Sequence, residues 1–259
     1  MPNVSERIPL RHVAAQRLLV RLREPLGSDE LALAGVDTRA AVALLDRLME
    51  DAPCSAGELS ASDRDGLLCA LHRHLWGDRI VSSLECEACG AMYDLSFELS
   101  ALQMQLAAQA EAAAVDAPRL LADSRGRHYR LPDAAQEEAA AQYGMVQGHA
   151  HLRALVAGAE QAQANPQELD SRLETLAPLV DVELDANCAE CGEPRQARFD
   201  VQSFVLQRLL DEREALLDEI HAMAGGYGWP LHDIVSLPRG LRRKLAQRLA
   251  GAAAPGAWG

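Results

Sequence analysis

Aromatic residues are scarce in this chain: three Phe, four Tyr and three Trp make up 4% of its 259 residues. A core must therefore come mostly from Leu, Val and Ala, and the 49% apolar content supplies them. Lysine is scarcer still, since Lys244 stands alone. The remaining cationic charge is arginine, which with the many alanines points to a GC-rich bacterial coding sequence. No run of about 18 apolar residues exists, so no segment is expected to span a bilayer. The start of the chain, with Glu6, Arg7, Arg11 and His12, lacks the apolar stretch of a secretory signal. The expected location is the bacterial cytoplasm. A net charge of -13 argues against a sequence-wide nucleic-acid binder, whose footprint is basic, and against charge-driven docking on anionic lipid. Charged residues at 24% are ordinary for a globular protein. The length admits one large or two small domains.

Catalytic signatures are missing as well. There is no glycine-rich phosphate loop, no His-Glu-x-x-His and no Gly-x-Ser-x-Gly. The eight histidines are dispersed. His72 and His74 are two residues apart, as are His149 and His151, a spacing that does not align side chains on a helix. The expectation is a protein that is not an enzyme.

Against these absences stand six cysteines. Four form two copies of C-x-x-C-G: Cys86-Glu-Ala-Cys89-Gly90 and Cys188-Ala-Glu-Cys191-Gly192. Two intervening residues let one tight turn aim both thiolates at a single ion, and the glycine can take the positive φ that such a turn needs. In a reducing cytosol these pairs suit a metal better than a disulfide. Four thiolates suit tetrahedral Zn(II), and a site saturated by protein ligands is structural rather than catalytic. The intervening chain, residues 90–187, is far longer than the roughly 15–20 residues of a simple zinc ribbon. One shared site thus requires a fold that brings distant segments together. Separate sites completed by a partner chain or by histidines, and a redox role, remain alternatives. Cys54, in a loop, and Cys69, on an apolar helix face with Leu67, Leu68 and Leu71, read as packing cysteines.

The two pairs sit in a longer internal repeat. Sliding the chain along itself until Cys89 meets Cys191 also brings Phe97 onto Phe199, Leu99 onto Val201 and Leu67 onto Leu169. Further upstream, after a short indel, Arg23-Glu-Pro25 meets Arg130-Leu-Pro132. Each half reads as a short strand (Leu18–Glu24, His128–Leu131), then helices, then a strand into the cysteine turn and another out. The helices are Thr38–Met49 and Asp63–Trp76 in the first half, and Asp133–Tyr143, His149–Ala159 and Pro166–Ala177 in the second. Asp37 is the expected N-cap of the first helix, and Pro166 suits a first helical turn. The strands flanking the cysteines are Arg79–Glu85 and Met92–Glu98, then Asp181–Ala186 and Gln196–Val201. Tyr93, Leu95, Phe97 and Leu99 alternate as a half-buried strand does. Between the halves, Ala101–Asp116 has a helix-favouring composition.

The expected fold is α+β: two duplicated helix-plus-β-hairpin halves, residues 1–112 and 117–203, whose knuckles form a zinc-ribbon-like clasp on one Zn(II) per chain. A helical C-terminal extension (204–250) and a flexible tail carrying Trp258 (251–259) follow. In the extension, Phe204–Met223 predicts one long amphipathic helix broken by Gly225-Gly226. A second helix, from Pro238 to Ala250, carries Arg239, Arg242, Arg243, Lys244 and Arg248 with no acidic residue. These five, with Trp229, form the candidate partner-binding surface.

Four stretches together resemble a known family. They are Arg21-Leu-Arg-Glu-Pro-Leu-Gly-Ser-Asp-Glu30; Trp76-Gly-Asp-Arg-Ile80 running into the first knuckle; the second knuckle followed by Phe199-Asp200; and Tyr227-Gly-Trp-Pro-Leu-His-Asp-Ile-Val-Ser-Leu-Pro238 with its arginine-rich helix. In this order they resemble the zinc-knuckle proteins of contractile-tail and injection-system baseplate clusters, which are similar to the baseplate hub assembly chaperones of T-even phages. Glu87 and Ala189 stand where family members often carry proline. The resemblance implies a non-enzymatic assembly protein whose partners are baseplate or hub proteins, and which is associated with a phage-like particle. The alternative is a zinc-ribbon nucleic-acid-binding or transcription-regulatory protein using the terminal basic helix.

Overall fold

The computed structural model describes residues 7–12, 18–52, 54–113, 121–122, 128–129 and 131–252. Trp258 and most of the expected tail lie outside them. The chain opens with strands β1 (Ile8–Leu10) and β2 (Leu18–Leu22), helices α1 (Gly27–Ala32) and α2 (Thr38–Leu48), and the short strand β3 (Met49–Glu50). β1, β2 and β3 form one antiparallel sheet. Helix α3 (Ala61–Trp76), strands β4 (Arg79–Glu85) and β5 (Met92–Glu98), and helix α4 (Leu99–Ala113) complete the first half. The second half holds β6 (Leu121–Ala122) and β7 (His128–Tyr129), helices α5 (Ala134–Ala141), α6 (Gly144–Ala157), α7 (Ala159–Ala164) and α8 (Pro166–Leu176), and strands β8 (Asp181–Asn187) and β9 (Pro194–Asp200). Helices α9 (Val201–Asp211), α10 (Arg213–Tyr227), α11 (Leu231–Val235) and α12 (Arg239–Ala252) follow. The fold is mixed helix and small antiparallel sheets. No helix among the described residues is long and apolar enough to cross a membrane.

Local chemistry explains the boundaries. Asp37 caps α2 by accepting from the Ala40 N–H at 2.9 Å, satisfying an amide that has no partner within the helix. Asp200 does the same for α9, accepting from the amides of Gln202 and Ser203. The turn into α3 closes on Ser60, and Pro166 sits in the first turn of α8. The C-terminal extension departs from expectation. Its long helix breaks at Glu212 rather than at the glycines. The Glu212 carboxylate is drawn to the Trp76 indole N–H at 2.9 Å and to Arg239 and Arg243. Gly225 and Gly226 stay helical. A Cβ on Gly226 would lie 2.6 Å from Leu249 Cδ2, so this glycine lets α12 approach α10.

One apolar core draws on both halves and the extension. Val20, Leu45, Leu67, Leu71, Ile80 and Leu99 pack in the same cluster as Val180, Phe199, Val205 and Leu206. Polar ties cross the same boundary. Asp65 accepts from the Val180 N–H at 2.9 Å, Ser62 donates to the Pro178 carbonyl at 2.9 Å, and Arg64 pairs with Glu137. This union sets the two hairpins side by side.

Candidate metal centre

Each cysteine pair lies at the tip of a hairpin. β4 and β5 pair from Arg79↔Glu98 to Glu85↔Met92, and β8 and β9 from Asp181↔Asp200 to Asn187↔Pro194. The two tips, residues 86–91 and 188–193, carry the same hydrogen bonds. The Cys86 N–H donates to the Ala91 carbonyl at 2.9 Å and the Gly90 N–H to the Cys86 carbonyl at 2.7 Å. At the other tip the Cys188 N–H donates to the Glu193 carbonyl at 3.0 Å and the Gly192 N–H to the Cys188 carbonyl at 2.9 Å. Gly90 and Gly192 have φ of 71° and 75°, a left-handed conformation that other residues adopt only with strain.

The tips bring all four sulfurs together. Cys86 Sγ lies 3.7 Å from Cys191 Sγ, and Cys89 Sγ lies 3.8 Å from Cys188 Sγ. The four lie within 4.8 Å of one another. Tetrahedral bonds of about 2.3 Å imply sulfur–sulfur separations of about 3.8 Å, so the cluster has the size of a four-thiolate metal site. Distant segments share one cluster, as a single site requires. Cys86 and Cys188 are buried over Tyr93, Leu84, Ala91 and Ala186, whereas Cys89 and Cys191 are exposed. Hydrogen bonds from the amides of Cys191 and Glu190 hold the Cys188 thiol down to about 7. The Ala91 N–H also favours a Cys89 thiolate, but the three neighbouring cysteines outweigh it and push that thiol up to about 12. A divalent cation among the sulfurs would take the place of these protons, because it binds the thiolate form. The spacing did not reveal one further tie: Arg195, on β9, donates to Glu87 of the opposite tip at 2.7 Å.

Cys69 is buried on α3 and burial pushes its thiol up, while Cys54 is half-buried; neither joins the cluster.

The candidate partner surface needs correction. Arg239 and Arg242 are 2% and 1% exposed. Arg239 pairs with Glu30 and Glu212, and Arg242 with Glu30 and Glu219, the last two contacts each at 2.8 Å. Arg243 is partly exposed and tied to Glu212 and Glu219. These carboxylates come from α1, α10 and the break between α9 and α10; Glu30 is buried, and a buried carboxylate requires cations beside it. Burial also lowers Arg239 to about 10. Of the predicted surface only Trp229, Lys244 and Arg248 stay exposed, with Trp229 stacked on Tyr227 at 5.1 Å.

A second assembly escaped the sequence reading. His72 is buried between Trp76 and Phe204, at ring distances of 5.2 and 5.7 Å. Arg208 donates to its Nε2 at 3.3 Å and lies 4.5 Å over the Trp76 ring. No protein-family model, curated protein or solved structure matches this chain.

Proposed function

We propose that this chain is a non-enzymatic, zinc-stabilised protein that assists or joins assembly of a contractile, phage-like tail baseplate. One observation carries the reading: the four stretches that bear the resemblance are used against one another. The two knuckles meet at one four-sulfur cluster. The Arg21–Glu30 stretch meets Tyr227–Pro238 and the following helix through the Leu26↔Pro238 bridge, the Arg239 N–H on the Pro25 carbonyl at 2.9 Å and the Glu30 ion pairs. Motifs spent on each other's placement suit a scaffold that meets its partners by its surface.

The metal is Zn(II), one per chain: four thiolates leave no open coordination position, and such a site stabilises the fold. Matching registers and tip hydrogen bonds in the two hairpins support a duplicated half with a zinc-ribbon-like clasp. The nucleic-acid alternative is weakened, because the basic helix spends Arg239 and Arg242 on internal carboxylates.

Deletion of the gene in its host tests the reading. Tail tubes and sheaths lacking complete baseplates are expected, restored by the wild-type gene but not by Cys86→Ser. Intact particles from the deletion strain would refute it.

A further inference from the structure

The two hairpins do not share a sheet. Each is a two-stranded ladder, so β4 and β9 each keep an outer edge with no partner strand among the described residues. A groove of about 800 Å3 is lined by both strands and by α9. Neighbouring residues on a strand point to opposite faces. Yet Val81 and Ser82 of β4 both line the groove, as do Ala197, Arg198 and Phe199 of β9. The groove therefore follows backbone edges. β5 contributes Leu95 and Phe97, both from one face.

Its lining mixes apolar and polar side chains, and its charge, three arginines against two aspartates, is unlike that of the whole chain. Phe97, Phe199 and Phe204, the only phenylalanines present, all line it. Phe199 lies 4.9 Å from Phe97 and 5.4 Å from Phe204. The lining acids are engaged: Asp200 caps α9, and Asp211 accepts from Gln207 at 2.7 Å. Arg198 is held by Asp181. Arg79, however, donates to the Ser96 hydroxyl at 3.1 Å, and Arg208 faces His72 and Trp76. Neither forms an ion pair among the described residues, in a chain with 38 acidic and 25 basic residues. Arginine can only donate, so His72 meets Arg208 as a neutral acceptor and leaves that charge uncompensated.

We propose that this groove takes an extended segment of a partner protein in which apolar residues alternate with Asp or Glu. The segment's backbone pairs with a free strand edge, its apolar side chains lie over the phenylalanines, and its carboxylates meet Arg79 and Arg208. Edge pairing supplies affinity, and alternate side chains supply specificity. This inference goes beyond the assembly reading and does not depend on it.

A display library of random dodecapeptides, selected on the zinc-loaded full chain, tests the proposal. Enriched peptides are expected to alternate Val, Ile or Leu with Asp or Glu. Their affinity is expected to fall roughly tenfold or more with Arg208→Gln, as loss of a charged hydrogen bond implies. A similar loss is expected with Val81→Asp. Val81 is 49% exposed and sits opposite Ser96, so that variant spares the core and decides the matter alone if Arg208→Gln fails to fold. Zinc content and circular dichroism verify that each variant is folded. Absence of enrichment, enrichment of peptides without acidic residues, or equal affinity for wild type and Val81→Asp would overturn the proposal.

Discussion

Four cysteine sulfurs within 4.8 Å of one another form a cluster that could hold a metal ion. Zinc-loaded protein is expected to contain one metal ion per chain by elemental analysis. Its cobalt-substituted form should show the absorption of four-thiolate coordination. Cys86→Ser is expected to lose both the metal and the folded state, because binding energy at such a site is folding energy. A stable, zinc-free Cys86→Ser variant would contradict this. A second residue-scale prediction concerns Asp65. Burial pushes its carboxyl up to about 7, although the Val180 N–H, 2.9 Å away, favours the ionised form. In the unfolded chain it titrates near 3.8. Between those values the folded protein holds a proton that the unfolded chain has released, so this group makes stability fall as pH rises from about 4 to about 7. Asp65→Asn keeps an acceptor for Val180 and is expected to flatten that decline in urea titrations across the same range. An unchanged pH profile would dismiss the role. His72 acts in the opposite sense: burial, with Arg208 beside it, holds it down to about 4, so its contribution is lost as pH falls from about 6.5 to about 4.

Among elements, the hairpins were the most legible. Arg79–Glu85 and Met92–Glu98 were expected with those bounds, because alternation and the cysteine turn mark both ends locally. Helix ends marked by Asp37 and Pro166 were legible for the same reason. The glycines of the C-terminal extension were not. Their helix-breaking tendency is a local property, and the packing of Gly226 against Leu249 overrides it. Gly148 makes the same point in α6. It is buried where α6 meets α5, and a Cβ there would lie 2.6 Å from the Ala140 carbonyl oxygen. Gly148→Ala is thus expected to destabilise the protein by about 1–3 kcal/mol, despite alanine's better helix propensity, because backbone must move to admit the methyl group. Chemical denaturation measures this, and a variant more stable than wild type would show that α5 yields freely.

For the whole molecule, the decisive feature is the closure of α12 on α1. Glu30 on α1 is 4% exposed and compensates Arg239 and Arg242 on α12. Glu30→Ala would leave two buried cations short of a partner. A loss of about 3–5 kcal/mol is expected, as for other broken buried pairs, together with faster proteolysis within α12. Equilibrium unfolding and limited digestion read the two effects, and wild-type behaviour in both would mean that Glu212 and Glu219 suffice. This closure also explains why the basic helix looked like a partner surface in the sequence. Residues 239–248 contain no acid, and their compensating carboxylates lie on other elements.

The sequence by itself determined the mixed helix-and-hairpin class, the strand bounds around the first knuckle, the starts of two helices and the identity of the four clustered cysteines; around the second knuckle the strands run Asp181–Asn187 and Pro194–Asp200, one to two residues off the expected bounds at three of their four ends. Each of these rests on residues close together in the chain: a period of two, a C-x-x-C-G turn, a capping aspartate or a helix-starting proline. Only the tertiary structure decided that the two knuckles share one cluster, that Arg239 and Arg242 are internal, and that all three phenylalanines line one groove with Arg79 and Arg208. Those facts depend on contacts between residues far apart in the chain, where apolar burial and charge compensation choose the partners and local spacing carries no record of the choice.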